Sequence, residues 1–200
     1  MKILAFSDLH LDQRAADLLL EAATDADLVL GVGDFAQRRV GLADYVAQFA
    51  QWGEKAVFVP GNNETDAELR AALRDTGIHI LHGDTVTVAD VKIAGIGAAI
   101  PPLPPLAWVS FDLREEDAET LLDPIADADV LLSHSPPKGV ADVHQDLGSL
   151  GSVAVRDATL RLSPNWLLCG HIHDAWGEQG RLGTTKVLNL GPTPNWISLD

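Results

Sequence analysis

Apolar and polar positions along the chain repeat with two different periods, and the switches between them mark its elements. Residues 2–7 form a short apolar run with the composition of a buried strand, and residues 13–24 place Ala16, Leu19, Leu20 and Ala23 at helical spacing. Residues 27–32 are a continuous apolar run of strand length, stopped by Gly33-Asp34. Helical spacing returns over 42–52, a third strand over 55–59 is closed by Pro60-Gly61, and 64–76 predicts another helix with Gly77 as its stop. A β-α-β-α-β order of this kind implies parallel strands joined by right-handed crossovers. Their ligand-binding ends are then the strand C-termini.

Beyond Gly77 the pattern changes. Residues 78–81, 85–88 and 91–95 read as short strands, separated by Gly83-Asp84 and Ala89-Asp90, which have the chemistry of hairpin turns. Four prolines within residues 101–105 exclude regular structure there. The spacing predicts a helix over 115–125, a buried strand over 129–132 ending at Ser133-His134, and a loop over 135–151. A helix over 153–162 and strands over 166–169, 185–189 and 196–199 complete the chain. With no internal repeat and no linker-like stretch, residues 1–200 form one domain.

Composition narrows the class. A hydrophobic fraction of 46% suits a folded globular protein with a substantial core. No apolar run approaches the ~20 residues of a membrane-spanning helix, and the opening run is too short for a signal-peptide core, being interrupted at once by Ser7-Asp8. Cys169 is the only cysteine, which excludes an internal disulfide, fits a buried strand position and favours a reducing compartment; cytoplasm is the expectation. Fourteen basic against twenty-nine acidic residues give a net charge of −15, a field that repels polyanions and disfavours nucleic-acid binding. The plain reading of that acidity is a solvated surface.

The candidate chemistry lies in five short polar motifs, each following a strand-like run: Asp8-Leu9-His10, Gly33-Asp34, Gly61-Asn62-Asn63-Glu64, Ser133-His134-Ser135 and Gly170-His171-Ile172-His173. If the strands are parallel neighbours, all five collect along one sheet edge. In extended backbone, residues two apart project to one side, so Asp8 and His10 can reach one ion together, as can His171 and His173 if the chain stays extended or bends between the two ions. Glycines 33, 61 and 170 allow sharp turns and close backbone approach. Singly, each motif has an ordinary alternative: Asp34 and Asn62-Asn63 as turn or cap residues, His134 as a satisfied strand-end histidine. Five in succession, each at a strand end, point to a metal site instead.

In this order the motifs resemble the calcineurin-like metallophosphoesterase superfamily. Its pattern is Asp-x-His, Gly-Asp, Gly-Asn-His-Asp/Glu, a separate His and Gly-His-x-His. The resemblance runs from Asp8 to beyond His173, and residues 132–139 followed by Gly151-Ser152 are similar to the small, single-domain prokaryotic branch. It implies an α/β (α+β) fold of four layers, a two-sheet β-sandwich flanked by helices. It also implies two divalent ions, with Asp8, His10, Asp34 and His173 on the first, Asn62, His134 and His171 on the second, and Asp34 bridging. Asp34, Asn62 and His134 would act catalytically by activating water through the metals. A carboxylate, imidazole and carbonyl set without thiolate suits Mn²⁺, the first expectation, or Fe²⁺, Ni²⁺, Co²⁺ or Zn²⁺ better than Ca²⁺.

The implied activity is hydrolysis of a small or nucleotide-type phosphoester, a diester before a monoester. The implied route is direct attack of a hydroxide bridging ions ~3.5–4 Å apart. A nuclease and an interaction module that has lost catalysis are the alternatives; the net charge counts against the first and the filled ligand positions against the second. A homodimer is compatible with the sequence, and no membrane partner is expected. One departure is plain: where many members carry a leaving-group histidine, this chain has Asn63, which cannot act as a general acid. Gln37 likewise stands where a helper carboxylate is common. His144 and a metal-bound water are candidate substitutes. Asp12 and Glu64 are candidates to orient the ligands, Glu64 equally to face a helix dipole. His79 and His82 read as hairpin residues, and 101–108 as a rim over the metals or a surface crossover.

Overall fold

The computed structural model describes residues 1–199. In chain order its elements are β1 (Ile3–Phe6), α1 (Gln13–Ala22), β2 (Leu28–Val32), α2 (Leu42–Val46), β3 (Ala56–Val59), α3 (Asp66–Ala72), β4 (His79–Ile80), β5 (Asp84–Val88) and β6 (Val91–Ile96). There follow α4 (Glu115–Leu122), β7 (Val130–Ser133), β8 (Val143–His144), β9 (Gly148–Ser149), α5 (Val153–Leu162), β10 (Trp166–Cys169), β11 (Gln179–Leu182), β12 (Thr185–Asn189) and β13 (Asn195–Ile197).

Two sheets face each other. The first runs β13-β1-β2-β3-β4, parallel except for the antiparallel edge strand β13; the second runs β11-β12-β10-β7-β6-β5, with parallel central strands and antiparallel edges. Central strands are buried on both faces, which is why they read as unbroken apolar runs rather than alternating ones. Along β1, Ile3 and Ala5 point between the sheets and meet Val130, Leu132 and Leu168, whereas Leu4 and Phe6 point outward. The outward face packs Phe6, Phe35, Phe49, Trp52 and Phe58 under α1, α2 and α3. On the far side, α4 and α5 cover Leu131, Leu167, Cys169 and Val187. The result is the four-layer α/β/β/α sandwich that the resemblance implied.

Caps fix the helix starts. Asp12 accepts from the N–H groups of Arg14 and Ala15 and so caps α1. Thr65 and Glu68 form a capping box on α3. Glu115 accepts from Ser152 Oγ and the Val153 and Ala154 N–H groups, fastening the start of α4 to the start of α5.

Several expectations need correcting. The five motifs do not share one sheet edge: three follow strands of the first sheet and two follow strands of the second. Residues 78–81 do not open a hairpin, because β4 pairs parallel with β3 in the first sheet and the chain then crosses to the second; His79 is thus a first-sheet strand residue. The helix expected over 64–76 is only Asp66–Ala72, so Glu64 precedes it and is no first-turn residue. The helix expected over 42–52 passes after Val46 into 3₁₀ turns interrupted at Gly53. The loop over 135–151 contains the β8–β9 hairpin, and β11, an edge strand of polar and small residues, gave no apolar signal.

Candidate metal centre

The seven candidate ligands converge where the C-terminal ends of β1, β2, β3, β7 and β10 meet across the sandwich. Asp8 and His10 do not get there along extended backbone as expected. Asp8 (φ 57°), His10 (φ 44°), Asp34 (φ 59°) and His171 (φ 68°) all occupy the left-handed region, and His173 opens a 3₁₀ turn. Such non-glycine conformations cost about 1–3 kcal/mol each and persist only where the surroundings enforce them. Here the enforcement is a lattice of main-chain bonds: Asp8 N–H to Gly33 O and His10 N–H to Asp34 O, each 2.9 Å, and Gly170 N–H to His134 O, 3.0 Å. At Gly61 a Cβ would fall on the Asp34 carboxylate, so only glycine lets these two loops close.

The donor atoms form two groups that meet at Asp34. On one side His10 Nε2 lies 3.6 Å from Asp34 Oδ2 and 3.2 Å from His173 Nε2, while His173 Nε2 is 3.8 Å from Asp8 Oδ1. On the other, Asn62 Oδ1 lies 3.2 Å from His134 Nε2 and 3.1 Å from His171 Nδ1, and His134 Nε2 is 3.5 Å from Asp34 Oδ1. His134 Nδ1–H donates to Val32 O (2.9 Å), which leaves Nε2 of the neutral ring as a bare lone pair. Asn62 Nδ2–H donates to Ser110 Oγ (3.1 Å), which turns its carbonyl oxygen inward. Two acceptors therefore face each other at 3.2 Å with no hydrogen between them, a repulsive contact in the neutral state that a shared cation relieves. The residues present thus fit divalent ions.

Protonation follows the same geometry. Burial alone would raise the Asp34 carboxyl, but the adjacent imidazoles of His134 and His10 and the Asn63 N–H hold it below its ordinary value. Burial opposes charge on His134 too, yet Asp34, Asp8 and the Val32 carbonyl raise its pKa. Burial and the neighbouring His134 push His171 down to about 3, so its ring is neutral, and burial likewise lowers His173.

Around these atoms lies a shell of supports, part of which the sequence hid. Asp8 accepts from Ser7 Oγ (2.5 Å), the His171 N–H (3.1 Å) and Trp176 Nε1 (3.2 Å), and the Trp176 ring lies 4.3 Å from that of His173. Neither Ser7 nor Trp176 carries any local sequence signal for this role. Asn63 donates to Asp34 through its main chain (2.8 Å) and its amide (2.7 Å), and its Oδ1 accepts from Arg38 N–H (2.7 Å). Glu64 is buried and accepts from the N–H groups of Gly61 (2.7 Å), Asp34 (2.8 Å) and Ala36 (2.9 Å); burial and the Asp34 charge push it up to about 7 against those bonds. A cavity of about 280 Å³ opens over the centre between His10, Asp34, Arg38, Asn62, Leu106 and Trp108, so the proline-rich segment does form part of its rim. His82 stays outside, accepting from Gly97 N–H and packed on Phe111.

Comparison with known proteins gives the family and the fold. The family model for calcineurin-like phosphoesterases matches residues 1–175. The 3′,5′-cyclic adenosine monophosphate phosphodiesterase CpdA of Escherichia coli K12 is 26% identical, over 94% of this chain and 76% of its own. Among solved structures, TT1561 of Thermus thermophilus superposes with a TM-score of 0.75 at 20% identity, covering 95% of this chain and 88% of its own. The phosphopantetheinyl hydrolase PptH of Mycobacterium tuberculosis gives 0.62 at 13% identity, covering 96% and 90%. These two structures share the fold.

Proposed function

This chain belongs to the calcineurin-like phosphoesterase family, and from that membership we propose that it is a two-metal phosphodiesterase acting on a small, nucleotide-type diester. One observation carries the reading: donor atoms of Asn62, His134 and His171 on one side, and of His10 and His173 on the other, gather around the Asp34 carboxylate. Asp8, His10, Asp34 and His173 would hold one ion and Asn62, His134 and His171 the second, with Asp34 shared. When bound, the ions supply a water nucleophile active near neutral pH and offset charge on the phosphoryl oxygens.

The protein's part is to hold this set rigid and to seat the ester. Asp34 is fixed by Asn63 and, through its own N–H, by Glu64. Arg38 borders the cavity where phosphoryl oxygens would lie, and Leu106 and Trp108 offer an apolar wall to the rest of the substrate. Similarity to the cyclic-nucleotide enzyme favours a diester, and the charge of −15 disfavours nucleic acid. Mn²⁺ as the ion and cytoplasm as the location complete the proposal, supported by the thiolate-free donor set and the single buried cysteine.

The test is a hydrolysis panel of mono- and diesters after chelation, with Mn²⁺, Ni²⁺, Co²⁺ or Zn²⁺ restored. Metal-dependent cleavage of bis(p-nitrophenyl) phosphate faster than of p-nitrophenyl phosphate is expected. Asp34→Asn should lower it by more than about 100-fold, beyond what loss of a supporting residue costs. Full activity in the presence of chelator, or wild-type rates in Asp34→Asn, would overturn the assignment.

A further inference from the structure

Cleaving an unactivated diester requires a proton for the departing oxygen, and position 63 cannot provide one. Both ends of the Asn63 amide are engaged, Nδ2 on Asp34 and Oδ1 on the Arg38 N–H. Glu64 is enclosed behind Asp34 by main-chain donors, and His82 lies elsewhere. Among the described residues bordering the centre, one imidazole is left outside the ligand set. His144 stands on the β8–β9 hairpin and lines a cavity of about 230 Å³ together with His171, His173 and Asp174. His171 and His173 also border the larger cavity over Asp34. His171 and His173 thus stand between the cavity over Asp34, walled by Leu106 and Trp108, and the cavity that His144 lines.

The hairpin is built to hold that position. Asp142 accepts from the N–H groups of Gly139 and Gly151, each 3.0 Å, and from Ser149 Oγ, closing the base of the hairpin. At its tip the Gln145 N–H donates to Asp174 Oδ2 (2.9 Å), next in sequence to His173. The ring is oriented as well. Asp146 N–H lies 3.2 Å from His144 Nδ1, so the neutral ring accepts there and carries its hydrogen on Nε2. When a second proton sits on Nδ1, Asp174 Oδ2, 3.7 Å away, is the facing acceptor. The protonated ring therefore presents Nε2–H as its donor, with Nδ1–H held toward Asp174.

We propose that His144 is the proton donor to the leaving-group oxygen, taking the place of the acid missing at position 63; this rests on the phosphodiesterase reading above. As the oxygen of water bonds to phosphorus, the bond from phosphorus to the leaving oxygen breaks and its electron pair stays on that oxygen. The Nε2 proton of the imidazolium passes to it, giving an alcohol; the ring is left neutral with its hydrogen on Nδ1, facing Asp174 Oδ2, and regains a proton at Nε2 from solvent, to which the attacking water gives up one of its own. A diester and one water become a monoester and an alcohol.

The experiment compares aryl and alkyl esters of one 5′-nucleotide, so that binding is held constant and only the need for a proton changes. In Mn²⁺-loaded wild-type protein both should be cleaved. In His144→Ala the aryl-to-alkyl ratio of kcat should rise by about 100-fold, the lower end of general-acid contributions. Added imidazole should restore the alkyl rate selectively. An unchanged ratio, or equal loss on both esters, would overturn the role of His144 while leaving the phosphodiesterase reading intact. Absence of cleavage of either ester by the wild type would overturn both.

Discussion

Asn63 and Glu64 stand side by side behind Asp34 and hold it in different ways, one through its carboxylate and the other through its main chain. Glu64→Gln keeps the shape but turns an amide N–H₂ toward main-chain N–H groups, stranding at least one buried donor at a cost of about 3 kcal/mol. Thermal melting should fall by about 6–12 °C for a domain of this size; a shift under about 2 °C would show the bonds to be dispensable. His171 makes a pH prediction. Its folded pKa of about 3 lies below the ordinary 6.5, so the unfolded chain binds the extra proton between those values. The stabilisation is fully present above pH 6.5 and is lost as pH falls toward 3. His134, with its raised value, acts in the opposite sense: its contribution is present below 6.5 and lost as pH rises through the folded value. Metal-free protein should therefore lose less melting temperature between pH 7 and pH 4.5 in His171→Gln than in wild type. Parallel curves would refute the shift. At this scale the candidate ligands were legible because each closes an apolar strand. Ser7 and Trp176 were not, since their contacts to Asp8 depend on chain segments far apart in sequence.

Elements whose burial is complete announced themselves, and those at edges did not. Strands β1, β2, β3, β7 and β10 are apolar on both faces and bring the five motifs to the ends of two sheets. β11 alternates exposed and half-buried positions, and β8 and β9 are two residues each, too short for any period to register. The expectation of one sheet edge failed because hydrophobic periodicity reports burial, not which neighbour a strand pairs with. The loops after β2 and β3 are the tightest junction, since Gly61 lies against Asp34. Gly61→Ala should thus displace the Asp34 carboxylate and weaken divalent-ion binding by about 10–100-fold, as loss of ligand support does. Titration calorimetry with Mn²⁺ checks this, and unchanged affinity would mean that the loops yield without moving Asp34.

The whole molecule joins its two sheets through the inter-sheet core and, at one end, through the site itself, with Asp8, His10, Asp34 and Asn62 on one side and His134, His171 and His173 on the other. Burial of charge and of facing lone pairs in that seam is what divalent ions would offset. The chain around it carries a formal net charge of −15, a field that repels polyanions. No helix among the described residues is long and apolar enough to cross a membrane. The central claim, that the converged side chains hold a pair of divalent ions shared by Asp34, is most directly tested by metal content per chain. Protein isolated without chelator, exchanged into Mn²⁺ and freed of excess ion, should carry about two ions per chain, and Asp34→Asn one or fewer. Wild-type protein without stoichiometric metal, or an Asp34→Asn variant keeping the full complement, would contradict it.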